Sequence, residues 1–192
     1  TNPLAIAVPA GESPPFVLDM ATTVAAVGKI KTLAQRGEMM PEGWMVGRDG
    51  KPLTDPARRE EGPLLPIGGP KGYGLAMAIG LLAGTLNGAA FGSDVVDFTK
   101  DTKTATNTGQ FIAAISVEAF AEVDTFKAQV DTVFKEMRES APLPGHDPVR
   151  IPGEGRGAIK DDRETRGIPF HPNLVKTLND IAGELQIAEL AG

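Results

Sequence analysis

The chain has 192 residues, with 25 acidic against 19 basic side chains and a formal net charge of −6, a balance that argues against a general nucleic-acid binder. It contains no cysteine, which excludes disulfides, zinc–thiolate sites, iron–sulfur clusters and a cysteine nucleophile. Hydrophobic residues make up 41%, enough to bury a core, so a wholly disordered chain is excluded as well.

Leu4 to Val8 is a short apolar run and is expected to be a buried strand. Gly11-Glu12-Ser13-Pro14-Pro15 marks a turn, and Phe16-Val17-Leu18-Asp19-Met20 reads as a second strand. A helix is predicted from Thr22 to Arg36, with Val24, Val27, Ile30 and Ala34 at helical spacing and Gly37 as its stop. Asp19 is expected to cap that helix. Residues 38–69, punctuated by five prolines, are expected to form a long irregular loop. Leu75 to about Leu86 reads as a helix that is apolar all round, and so buried on most sides.

Gln110 to Val117 (QFIAAISV) has the composition of a central strand. Val123 to Arg138 is an amphipathic helix with Phe126, Val130, Val133, Phe134 and Met137 on one face. Asp147 to Ile151 reads as a short strand, residues 157–166 as a charged helix, and Asn173 to Leu185 as a final helix. The pattern is mixed α/β (α+β), without the regular alternation of a doubly wound sheet. No apolar run approaches the ~20 residues of a membrane span. The opening Thr1-Asn2-Pro3 carries no basic stretch of the kind that starts a signal peptide, so the expectation is a cytoplasmic protein: one domain, or a sizeable piece of one.

Three polar clusters stand apart from the packing residues. Gly69-Pro70-Lys71-Gly72-Tyr73-Gly74 sets a lysine among glycines just before a helix. That arrangement suits a phosphate or carboxylate, and equally a glycine-rich helix cap with a solvated lysine. Arg150-Ile151-Pro152-Gly153-Glu154-Gly155-Arg156 offers backbone amides and a carboxylate that can accept ribose hydroxyls, or it is a tight turn with surface charges. Thr1-Asn2-Pro3 places short hydrogen-bonding groups at a strand mouth, or forms an Asx-type turn. His146 and His171 are candidates for proton transfer because imidazole as a group suits it, but neither has a nucleophile at a telling spacing. Two histidines are also too few for a histidine-rich metal cage, so no metal site is expected.

In this order, the clusters resemble a known family. Thr1-Asn2-Pro3-Leu4-Ala5-Ile6-Ala7-Val8-Pro9, Pro14-Pro15-Phe16-Val17-Leu18-Asp19-Met20-Ala21-Thr22, Pro41-Glu42-Gly43-Trp44, Gly68-Gly69-Pro70-Lys71-Gly72-Tyr73-Gly74-Leu75, Phe111-Ile112, Arg150-Ile151-Pro152-Gly153-Glu154 and Arg166-Gly167-Ile168 look like the type-2 malate/L-lactate dehydrogenases. That resemblance implies a fold peculiar to the family and distinct from the doubly wound dinucleotide fold. It also implies NAD or NADP as cofactor, a 2-oxo acid or cyclic imino acid as substrate, and a homodimer. Carried over by position, Thr1, Asn2, Pro3, Lys71, Gly72, Pro152, Gly153 and Glu154 become cofactor-binding residues. The family's catalytic histidine matches nothing here and is expected upstream of Thr1. Residues 1–192 would then be the dinucleotide-binding and C-terminal part of a larger enzyme, with the upstream segment as partner. Many members carry His where this chain has Pro70. Two other readings remain: a hydrolase using Thr1 as an N-terminal nucleophile, and a non-catalytic cofactor-binding or assembly subunit.

Overall fold

The computed structural model describes residues 2–170 and 172–190. Strands β1 (Leu4–Val8) and β2 (Phe16–Met20) pair antiparallel, with Leu4 opposite Met20 and Val8 opposite Phe16. Both expected strands are present, but as a two-stranded ribbon whose residues are at best half-buried. A ribbon of this size is marginal alone, so its surroundings must hold it.

Helix α1 (Val27–Arg36) ends at Gly37, whose left-handed φ of 68° lets the chain turn back. The helix starts later than its spacing predicts. Thr22 is buried and its carbonyl accepts the Ile67 N–H, while the Val24 N–H donates to Leu65. Thr23 forms a bridge with Pro66, so residues 22–24 are spent on non-local pairing. Asp19 does not cap α1, since the cap position is Ala26; its carboxylate instead lies 3.7 Å from Arg156 on the surface.

Residues 38–69 fold back over α1 through bridges Met45–Leu64 and Val46–Pro52 and a short 3-10 turn at Pro56–Glu61. Met40, Met45 and Leu53 close on Ile30, which is 1% exposed, with Leu33, Trp44 and Leu64 around them. The Lys29 ammonium covers the Trp44 ring at 5.0 Å. This cluster is the main apolar core among the described residues.

Helix α2 (Pro70–Ala83) follows, then α3 (Val123–Glu139), α4 (Glu154–Arg166) and α5 (Pro172–Leu185). The Glu122 side chain caps α3 by accepting from the N–H groups of Asp124 and Thr125. On α3, Phe134 is buried, whereas Val133 and Met137 face outward, because the covered stripe runs through Phe126, Val130 and Phe134 instead. Three further expectations fail. Helix α2 is not covered on most sides: Tyr73, Leu75, Met77, Leu81 and Leu82 are exposed. Residues 110–117 form no strand, and neither do 147–151. Composition favours a strand at 110–117, but a strand needs a ladder partner, and the described residues supply none there.

Two ties hold the turn end of the ribbon. The turn between its strands is gripped by Asp131 of α3, whose carboxylate accepts from the N–H groups of Glu12 at 2.8 Å and Ser13 at 3.0 Å. Alongside β2, the Val17 N–H donates to the Pro152 carbonyl at 3.0 Å. Gly153, at φ 94°, sits so close that a Cβ would lie 2.9 Å from the Val17 Cβ and 3.1 Å from its backbone N. Gly153→Ala should therefore destabilise the chain by roughly 1–3 kcal/mol in urea unfolding, through backbone strain and overlap together; an unchanged midpoint would contradict this packing.

The backbone N–H of Glu12, and next that of Ser13, hold the Asp131 carboxyl below the ordinary carboxylate range. A depressed folded pKa stabilises fully above the unfolded value of ~3.9 and loses that contribution as pH falls through the lower folded value. Asp131→Ala should accordingly lower the thermal midpoint equally at pH 7 and pH 5, and the gap should narrow below about pH 4. A gap that stays constant into strong acid would show that the carboxylate charge is not what holds the turn.

Candidate functional site

Gly68 and Gly69 both have positive φ, 56° and 60°, and together they swing the chain into α2 at Pro70, where proline suits the first helical position. No acidic residue occupies the first turn of α2, so the partial positive charge of the helix start is uncompensated. Lys71 lies in that turn, exposed, its side chain making no hydrogen bond or ion pair among the described residues. Gly72 is buried, and a Cβ there would overlap the Ile67 carbonyl oxygen. The close approach legible in the glycines is thus made by the chain to itself.

Asn2 is brought to the same helix. In a left-handed conformation (φ 43°), which asparagine tolerates, it donates from its side-chain amide to the Ala76 carbonyl at 2.7 Å. Its own carbonyl accepts from the Thr22 hydroxyl at 3.3 Å. Gly80 makes room for this contact, since a Cβ there would come within 2.8 Å of the Asn2 amide nitrogen and overlap the Phe91 ring. Pro3 is exposed beside it. Thr1 and His171 lie outside the described residues.

The Pro152-Gly153-Glu154 turn is placed separately, against β2. Glu154 opens α4, accepting from the Ile151 N–H at 3.0 Å and from the Arg138 guanidinium at 2.6 Å. Those bonds, the Ile151 N–H foremost, hold its carboxyl below the usual range. Each oxygen makes one bond, which leaves acceptor positions on the carboxylate. Asn2 lies five residues before Ala7, which faces Val17; the two groups of residues are therefore separated by roughly 16 Å of ribbon. No hydrogen bond joins them among the described residues.

Sequence reasoning missed Thr22, Gly80 and Arg138. Gly80 carried a signal, as an isolated glycine in an apolar helix; Arg138, 16 residues before Glu154, carried none. His146 sits in an exposed turn, its N–H on the Leu143 carbonyl. The open hollow beside residues 47–61 contains none of the site residues, and several of its charges are already paired, Arg58 with Glu61 at 2.6 Å and Glu60 with Lys100 at 2.7 Å. No three metal-ligating side chains converge among the described residues, and no helix there is long and apolar enough to cross a membrane.

The chain was compared with known proteins. The family model described as malate/L-lactate dehydrogenase matches residues 1–179. An L-sulfolactate dehydrogenase of Methanocaldococcus jannaschii is 42% identical over 185 residues, covering 96% of this chain and 52% of the relative. A malate/(S)-sulfolactate dehydrogenase of Methanothermus fervidus is 40% identical over 187 residues, covering 97% and 53%. The solved structure of sulfolactate dehydrogenase from M. jannaschii superposes with a TM-score of 0.78 at 37% identity, over 96% of this chain and 52% of that one. The chain thus spans about half the length of the relatives it matches. With matching sequence, a mixed α/β fold shared with a solved member and a family model covering nearly its whole length, the chain belongs to the malate/L-lactate dehydrogenase family.

Proposed function

We propose that this chain is the dinucleotide-holding part of an NAD- or NADP-dependent oxidoreductase acting on a small 2-hydroxy or 2-oxo acid, or on a cyclic imino acid. The observation that supports the reading is the start of α2: two glycines of positive φ, an uncompensated helix N-terminus and a Lys71 side chain with no partner among the described residues. Exposed N–H groups and a cation together suit a phosphate. The residues present fit such a cofactor on these grounds. Lys71 and the first amides of α2 hold an anionic group. The remaining acceptor positions of Glu154, on the turn fixed by Pro152 and Gly153, take ribose hydroxyls. Thr1, Asn2 and Pro3 complete the cofactor contacts, with Asn2 held in place by Ala76 and Thr22.

When bound, the nicotinamide supplies hydride chemistry. In this reading the chain's own residues bind and orient. His146 lies in an exposed turn, and by the family resemblance the proton donor is assigned to a histidine in the part of the enzyme that this chain does not span. A homodimer in the cytoplasm belongs to the same reading, supported by the family resemblance.

Lys71→Ala should weaken binding of a nicotinamide dinucleotide, followed by fluorescence titration with NADH and NADPH in parallel, by roughly 1.5–3 kcal/mol, or about ten- to 150-fold. Gly72→Val should do more harm, and circular dichroism should show the reason: the branched side chain collides with the Ile67 backbone and disturbs the fold. Unchanged affinity in a well-folded Lys71→Ala chain would remove the lysine from the site and the reading with it.

A further inference from the structure

Arg138 occupies the last turn of α3, four residues after Phe134, so the two side chains share a face of the helix. Phe134 is buried, and its ring centre lies 5.9 Å from the Arg138 guanidinium carbon, close enough to back the planar group. On its other side the Arg138 Nε–H donates to the Glu154 carboxylate at 2.6 Å. The side chains of this pair are 33% and 34% exposed, so water screens it less than a surface pair.

The rest of the guanidinium is unused. Its Nη1 and Nη2 groups make no hydrogen bond or ion pair among the described residues. A guanidinium anchored through Nε presents those terminal donors as a preformed fork, which matches the oxygens of a phosphate. The neighbouring arginines differ. Arg150 reaches Asp147 at 3.3 Å and Arg156 reaches Asp19 at 3.7 Å, with all four side chains 60% exposed or more. Loose pairs in open water fix no geometry.

The position of the fork decides which phosphate it meets. An anionic group of the cofactor is assigned to Lys71, and ribose hydroxyls to Glu154, and roughly 16 Å of ribbon separates the two groups of residues. The phosphates of a diphosphate bridge share an oxygen and sit side by side, so one bridge cannot be gripped at both places. With the bridge on Lys71, an anion at Arg138 is a separate phosphate, next to the ribose that Glu154 holds. A carboxylate alone beside that ribose suits the free hydroxyl of NAD, whereas an arginine beside it accommodates the extra phosphate of NADP. Here the arginine is bonded to the carboxylate itself, neutralises it, and offers donors beyond it.

We infer that Arg138 selects NADP(H) over NAD(H), its terminal Nη1 and Nη2 donors holding the ribose 2′-phosphate while Glu154 accepts from the remaining ribose hydroxyl. The inference rests on the dinucleotide reading proposed above and adds the choice of cofactor to it; the selection can fail while dinucleotide binding stands.

The test is fluorescence titration of the purified chain with NADPH and with NADH, repeated for Arg138→Gln. The unaltered chain should bind NADPH about tenfold more tightly than NADH, or better. Arg138→Gln should weaken NADPH by about ten- to 150-fold, the range for a hydrogen bond to a charged group, and NADH by less than about threefold. A competition on the unaltered chain needs no variant: 2′-AMP should displace NADPH more strongly than 5′-AMP does. Equal affinity for the two dinucleotides, or equal displacement by the two nucleotides, overturns the selection and leaves the dinucleotide reading standing. Equal losses of NADPH and NADH in Arg138→Gln overturn it too, because Arg138 then only braces the turn at Glu154. If neither dinucleotide binds, both readings fall together.

Discussion

The hydrogen bond from the Asn2 side chain to the Ala76 carbonyl is the contact on which the placement of everything else turns. A neutral bond of this kind is worth about 1 kcal/mol net, so its importance is positional. It fixes one end of the β1–β2 ribbon on α2, while the Asn2 carbonyl takes the Thr22 hydroxyl and so reaches the segment bridged to residues 64–67. Val17, near the start of β2, ties the ribbon to the turn before α4, and Asp131 ties the turn between its strands to α3. Three helices are thereby set around a ribbon too small to stand alone.

That arrangement accounts for how little apolar core the described residues hold. The one dense cluster lies between α1 and residues 40–64, and apolar side chains elsewhere on α2, on residues 111–120 and on α5 face outward. Directional backbone ties can hold geometry where burial is sparse, and two of the three ties carry segments assigned to the cofactor. The start of α2 and the Pro152–Glu154 turn, both proposed to hold the cofactor, are tied to opposite stretches of the same ribbon.

The local signals in the sequence were dependable. Short apolar runs and turn residues located β1 and β2, and helical spacing with glycine stops located the helices, because these depend on neighbours along the chain. What failed was whatever depends on a distant partner. Thr22 to Val24 read as helix because nothing nearby reveals that Leu65 and Ile67 claim their backbone groups. The run at 110–117 has strand composition, but composition does not supply a ladder. Residues 38–69 carry Met40, Met45 and Leu53 without any period, so their part in the core was invisible. At the candidate site, the glycines announced a close approach correctly, though Gly72 makes it to Ile67; the Arg138 bond to Glu154 was not legible at all.

The central claim, that one dinucleotide spans the start of α2 and the Pro152–Glu154 turn, is tested most directly by amide nuclear magnetic resonance during titration with NADH. The account predicts that the amide signals of Lys71, Gly72 and Gly153 move together, along one binding curve with a single dissociation constant. Shifts confined to one of the two segments, or to the hollow beside residues 47–61, would contradict it.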